Sequence, residues 1–298
     1  MERTGSQKMK EIRQSTFTEE RALFGSSEMI LYDSIFEKGE SPLKECSNIE
    51  MYSCLMRWKY PLWYCKNIRT ENCTWLEGAR AGVWYSENVS VRDALIQAPK
   101  NFRRCKGLAL ENVRFTNALE TMWHCSKVSM KKVSAAKGDY FAMNCSDMVI
   151  DGLTLDGNYS FDGAKNIEIR NSKLLTKDAF WNSENITVYD SFIAGEYLGW
   201  NSKNLTLINC TVESLQGMCY IENLVMKNCK LLGTNLAFEY STVDAEITSR
   251  IDSVFNPAGG RICAPEIGVL TMQEKRIDPS KTEIDCESVL RKTNEPEW

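Results

Sequence analysis

Apolar and polar positions alternate along most of this chain in short runs, and the runs recur at a nearly fixed interval. The segments CSNIEMYSC, CKNIRTENC, SENVSVRDA, CKGLALENV, CSKVSMKKV, CSDMVIDGL, AKNIEIRNS, SENITVYDS, SKNLTLINC and IENLVMKNC align without gaps. They begin at Cys46, Cys65, Ser86, Cys105, Cys125, Cys145, Ala164, Ser183, Ser202 and Ile221, so successive starts lie 19 to 21 residues apart. The opening position is Cys, Ser or Ala in nine of the ten. The third is Asn in seven: Asn48, Asn67, Asn88, Asn166, Asn185, Asn204 and Asn223. The fourth and sixth positions are apolar almost throughout, as in Ile167/Ile169, Ile186/Val188 and Leu205/Leu207. Period-two alternation over so few residues predicts short strands rather than helices.

A coil of ~20 residues, with two or three short strands and Asn at a bend, is one rung of a parallel β-helix. Asn tolerates the left-handed backbone that a tight bend requires. Stacking at ~4.8 Å per rung sets equivalent residues above one another. The predicted fold is therefore all-β, a single-stranded right-handed parallel β-helix of about 11–12 rungs. A ten-rung core spans 46–240, residues 16–45 supply a cap and the first rung or rungs, and 241–275 are closing strands. Residues 1–15 and 276–298 are expected as polar tails, the latter partly loose.

The repeat accounts for most of the cysteines. Cys46, Cys65, Cys105, Cys125 and Cys145 share one offset, and Cys54, Cys73, Cys210 and Cys229 share another. Both columns otherwise hold small residues, a slot that a free buried thiol fits. Reduced, buried cysteines are expected.

Composition narrows the function without naming it. The 298 residues carry 36 Lys+Arg against 40 Asp+Glu, a net charge of −4. That balance predicts no nucleic-acid partner, which would call for a basic face or tail. The mean hydropathy is −0.36 and no apolar run approaches the length of a membrane span, so no membrane association is expected. The first fifteen residues lack the apolar stretch of a secretion signal, which makes the cytoplasm the expected address. With one histidine and no zinc spacing, no metal site or cofactor is predicted, although a divalent cation such as calcium stays open.

Two columns carry candidate chemistry. Trp63, Trp84, Trp123, Trp181 and Trp200 each stand two residues before a coil begins. Parity with the small buried position predicts that they face inward as stacked core aromatics; a carbohydrate platform is the alternative. Five or six positions before each coil runs a charged file: Lys59, Arg80, Lys100, Glu120, Asp139, Asn158, Lys177 with Asp178, Glu196 and Gln216. Charges set among aromatics along a rod suit a groove for an extended ligand. Glu120 and Asp139 fall on neighbouring rungs, ~5 Å apart at the backbone, close to the spacing of an acid/base carboxylate pair. Arg80 and Lys100, just before them, are placed to clamp or deprotonate an acidic sugar. These four are the candidate catalytic residues. Lys59, Tyr85, Trp123, His124, Tyr140, Asp178 and Glu196 are the candidate substrate-binding residues. The competing reading is a solvated edge whose charges neutralise one another across rungs.

The run from ERALFGSSEM and GESPLKE through WKYPLWYCKN, ARAGVWY, APKNFRR, ETMWHC, GNYSFDG, KDAFWN and GEYLGWNSKNLTLINC to FEYSTVDAEI and SVFNPAGG covers roughly residues 16–275. It resembles an uncharacterised bacterial family, a domain of unknown function, which is itself similar to the right-handed β-helix of pectate lyases. The resemblance implies the fold and not an activity, and no catalytic residue of the pectate lyases is carried onto this chain. Three readings of function stand together: an intracellular carbohydrate-active protein, possibly a lyase or glycosidase, binding an oligosaccharide or uronide; a non-catalytic binding or scaffold rod; and a protein-association module. The sequence sets no oligomeric state.

Overall fold

A computed structural model describes residues 9–295. Residues 1–8 and 296–298, the outer parts of both expected tails, lie outside the described residues. The chain forms two compact units, one ending at Lys137 and the other beginning at Gly138. The first unit has seven rungs, opened by strands Lys10–Arg13, Ser27–Tyr32, Ser47–Tyr52, Lys66–Glu71, Glu87–Ile96, Lys106–Phe115 and Ser126–Ala135. Each strand pairs in parallel with the next. The second unit has eight, opened by Ser146–Asp156, Lys165–Arg170, Glu184–Tyr189, Lys203–Ile208, Glu222–Leu232, Thr242–Ile247, Gly259–Thr271 and Thr282–Thr293. These too pair in parallel, one after the other. Each unit is a parallel β-solenoid.

The repeat has a simple physical basis. Within a rung the inward residues are spaced alternately by two and by three: Cys46, Ile49, Met51, Cys54 and Met56 are all buried. The extra residue at each step of three sits at a corner with a left-handed backbone, Asn48 at φ 55° and Ser53 at φ 53°. All seven repeat asparagines have φ between 55 and 65°. Asn is among the few residues that enter this region cheaply. Its amide also spans the rungs. Asn67 Nδ2 donates to Asn48 Oδ1 at 2.8 Å and Asn88 Nδ2 to Asn67 Oδ1 at 3.0 Å. In the second unit Asn185, Asn204 and Asn223 continue from Asn166 in the same way, at 3.0, 2.8 and 2.9 Å.

The core is a set of vertical files. Ile150, Ile169, Val188 and Leu207 are in direct register and fully buried. Of the twelve cysteines, all free, ten are buried, while Cys263 and Cys286 are partly exposed. Buried thiols donate to carbonyls of the preceding rung, as Cys46 to Leu23 and Cys65 to Leu43, both at 3.0 Å. Burial pushes the Cys46 and Cys210 thiols up to about 11, and Cys65 and Cys219 to about 12. Such thiols are inert packing groups.

The rung count exceeds the sequence reading. Three rungs, from Thr242, Gly259 and Thr282, follow the last readable repeat. They lack the small–x–Asn opening, so periodicity alone does not reveal them. The segment read as a loose tail from 276 contains the twelve-residue strand Thr282–Thr293, paired along its length with Gly259–Thr271. Its charged outer residues Glu283, Asp285 and Glu287 alternate with Ile284 and Cys286, which is a strand pattern hidden in a polar composition.

Candidate functional site

The tryptophan file does not face the core. Trp63, Trp84, Trp123, Trp181 and Trp200 are half-buried on the outer surface, while the residues before them, Leu62, Val83, Met122, Phe180 and Gly199, are buried. The inward expectation fails on parity. Between Trp63 and Cys65 stands Tyr64, a corner residue at φ 58°, and Tyr85, His124, Asn182 and Asn201 take the same conformation. A left-handed residue inserts a second outward position, so two residues no longer return to the same face.

In the first unit these rings stack on one another. Trp63 and Trp84 lie 4.9 Å apart and 5° from parallel. Tyr60 packs on Trp63 at 4.6 Å. Arg103 fills the next place in the file, its guanidinium 5.0 Å from the Trp84 ring and 4.1 Å from that of Trp123. The Trp63 and Trp84 indole N–H groups donate to the carbonyls of Ala81 and Lys100 at 2.7 and 2.9 Å, which fixes both rings. Both faces of Trp84 are therefore covered, and solvent meets only its rim. Beside this file Tyr64 and Tyr85 form an exposed stack at 4.9 Å and 5°.

The charged file is two files. Tyr60, Ala81, Lys100 and Glu120 are left-handed corner residues with φ between 50 and 64°. Lys59 and Arg80 precede that corner. Lys59 Nζ pairs with Glu40 Oε1 at 2.6 Å, and Arg80 is exposed. Lys100 Nζ lies 3.3 Å and Arg103 Nη2 2.5 Å from Glu120 Oε2. The corner thus holds an ion triad that braces the Trp84–Arg103–Trp123 stack. His124 is exposed at the outer corner. Glu120 belongs to the first unit and Asp139 to the second, and each already has partners within its own unit. The Asp139 carboxylate accepts the Asn158 backbone N–H at 2.8 Å.

The second unit breaks the pattern. Its corner file runs Tyr140, Tyr159, Asp178, Tyr197, Gln216, with φ between 46 and 59°. Tyr140 stacks on Tyr159 at 5.0 Å. Asp178 then takes a tyrosine's place, only 5% exposed, and among the described residues no hydrogen bond or ion pair reaches its carboxylate. Burial pushes this carboxyl above its ordinary range, with Lys177 opposing and Glu196 adding to the shift. Lys177 Nζ is held by Glu196 Oε2 at 2.8 Å and lies 5.3 Å from the Tyr197 ring. The hydrogen bond to Glu196 raises the Lys177 ammonium above its usual value.

The aromatic rings beside Asp178 leave the stack as well. Trp200 stands at 76° to Trp181, 6.1 Å away, and at 87° to Tyr220, 5.3 Å away. Tyr197 packs on it at 5.2 Å and 47°. Its indole N–H lacks the carbonyl partner that Trp63 and Trp84 have. Trp200 is thus packed by three rings, none of them parallel to it. Further along, Tyr220 and Tyr240 meet at 5.5 Å, with half-buried Glu239 between them in sequence. Burial raises the Glu239 carboxyl, with Arg276 opposing. Arg276 Nη1 reaches the Tyr240 hydroxyl at 3.5 Å and also lines a hollow of about 380 Å³ with Gln273, Glu274 and Asn294.

Sequence reasoning singled out Asp178 and Glu196 as candidate substrate-binding residues. It missed Arg103, Glu239 and Arg276. Arg103 occupies a tryptophan offset in NFRR, so its place in the stack was readable. Among the described residues no group of three or more His, Cys, Asp or Glu is placed to hold a metal ion. Likewise, no helix there is long and apolar enough to cross a membrane.

Rungs in parallel register, with left-handed corners, define a parallel β-helix protein. The sequence profile of the DUF3737 family, described as protein of unknown function, matches residues 10–285, and the chain belongs to that family. No curated protein matches it in sequence. The surface adhesin PfbA of Streptococcus pneumoniae is similar in structure at 8% identity, over 96% of this chain and 86% of the adhesin, with a TM-score of 0.41. The tailspike of E. coli bacteriophage HK620 is similar at 7% identity over 96% of this chain and 71% of its own, with a TM-score of 0.38. The A-module of the Azotobacter vinelandii mannuronan C-5 epimerase AlgE4 matches at 9% identity, over 96% and 87%, with a TM-score of 0.26.

Proposed function

We propose that this protein binds a carbohydrate on the face of its second unit, around Trp200, Tyr197 and Asp178. The carrying observation is the Trp200 ring, turned across its file and packed by Tyr197, whose corner position follows that of Asp178 in the preceding rung. A sugar presents axial C–H groups to an aromatic face and hydroxyl donors to a carboxyl, and this arrangement offers both. In the first unit the covered rings and the Glu120 triad favour a supporting role for Lys100 and Glu120. A solenoid that serves only as a scaffold is the second reading, favoured by that mutual coverage. Twelve free thiols suit a reducing compartment, and the proposal places the protein in the cytoplasm.

A glycan array probed with the full chain tests the reading. At least one glycan class is expected to be retained, and Trp200→Ala is expected to weaken it tenfold or more with the melting temperature within a few degrees of wild type. Trp84→Ala, in the covered stack, is expected to leave affinity unchanged. An array without a ligand, or full retention by Trp200→Ala, contradicts the proposal.

A further inference from the structure

One face of the second unit's core is left open. Strand Thr282–Thr293 pairs along one edge with Gly259–Thr271, and among the described residues no strand pairs with its other edge. In direct register Ile284 stacks on Ile262, Cys286 on Ala264 and Val289 on Ile267. Ile262, Ala264 and Ile267 are buried, whereas Ile284, Cys286 and Val289 are only half-buried. Leu290, beside them, is 58% exposed. An edge that carries unpaired N–H and C=O groups next to uncovered apolar side chains is a template for another strand.

The charges along this strand select its partner. Glu283, Asp285 and Glu287 stand in its first half, and Arg291 and Lys292 in its second. Charge of one sign, or mixed along the length, would repel or ignore a second copy of the same strand. Segregated halves repel a parallel copy and attract an antiparallel one, because each acidic half then lies opposite a basic half. A two-fold axis produces that antiparallel arrangement. Arg261 already pairs with Asp285 and lies 3.8 Å from Glu283, so part of the acidic charge is balanced within the chain. Glu287 and Lys292, by contrast, have no ion-pair partner among the described residues. Pairing about a two-fold axis uses the same patch on both copies, so it closes at two and offers no edge to a third.

We infer that Thr282–Thr293 is the interface of a two-fold homodimer, pairing antiparallel with its counterpart and covering the half-buried Ile284, Cys286 and Val289 of both copies. None of the residues around Trp200 takes part.

The test is sedimentation equilibrium of the full chain between about 1 and 500 μM, where a contact one strand wide is expected to give a reversible monomer–dimer equilibrium. Two variants probe the charges: an acidic one, Arg291→Glu with Lys292→Glu, and a basic one, Glu283→Lys with Asp285→Lys and Glu287→Lys. Each alone is expected to dimerise at least tenfold more weakly while remaining folded by circular dichroism. An equimolar mixture of the two is expected to regain the affinity of the wild type, since opposite halves again face each other. A monomer at every concentration, undiminished dimerisation in either variant, or a mixture of folded variants that stays monomeric overturns the inference. Hydrogen exchange of the wild type at both ends of the concentration range gives a readout that needs no variant. Protection in 282–293 is expected to rise with concentration. Protection there that is independent of concentration means that the chain covers its own edge, or that the edge stays open, and overturns the inference as well.

Discussion

Asp178 is the residue whose surroundings depart most from its neighbours. It occupies a corner place between Tyr159 and Tyr197, is buried, and has a carboxyl raised chiefly by loss of water. A carboxyl whose folded pKa lies above its unfolded value is bound more tightly to its proton in the native state. Its stability contribution is therefore undiminished below the ordinary aspartate range, about pH 4, and declines as pH rises through the window up to the raised native value. Asparagine cannot ionise. Asp178→Asn is thus expected to melt higher than wild type at pH 7, with the difference closing as pH is lowered toward about 4. Thermal melts across that range check it, and a variant less stable than wild type at pH 7 contradicts the environment described. The sequence showed Asp178 as one charge in a charged file. Its isolation was not legible, because spacing alone does not tell which lysine Glu196 will hold.

At the level of the rung, the fold rests on files of like residues in register and on left-handed corners. Ile169 is fully buried between Ile150 and Val188 in adjoining rungs. Ile169→Asp places an unpaired charge in that file and is expected to cost more than about 4 kcal/mol in denaturant unfolding. An unchanged unfolding midpoint contradicts the register. This register was legible because the fourth and sixth positions stay apolar through the ten repeats, Thr70 excepted, and Asn marks one corner. The corners without Asn were not legible. Tyr64 and Tyr85 are left-handed despite side chains that rarely choose that region, and hydrogen bonds to the next rung hold them there, as Tyr64 N–H to the Trp84 carbonyl at 2.9 Å. Counting by twos through such a corner put the tryptophans on the wrong face. The strand from Thr282 was missed, and those from Thr242 and Gly259 were read only as closing strands, for a related reason. From Thr242 onward, burial alternates without the small residue and asparagine that announce the earlier coils.

Across the whole chain, two solenoid units share a repeat but not a surface. The first covers its aromatic faces with each other and with Arg103, and ties Glu120 to Lys100 and Arg103. The second turns Trp200 across its file and leaves Asp178 without a partner. Tryptophan stands at the same offset in both, so the sequence marked the column but not the orientation of each ring, which neighbouring rungs decide. On the proposed reading, ligand binding belongs to the second unit and bracing to the first. Hydrogen exchange of the full chain, with and without the tightest glycan, tests that division directly. Protection is predicted to gather in residues 176–201 and 218–240, with exchange in 60–124 unchanged. Protection centred on 60–124 would contradict the account.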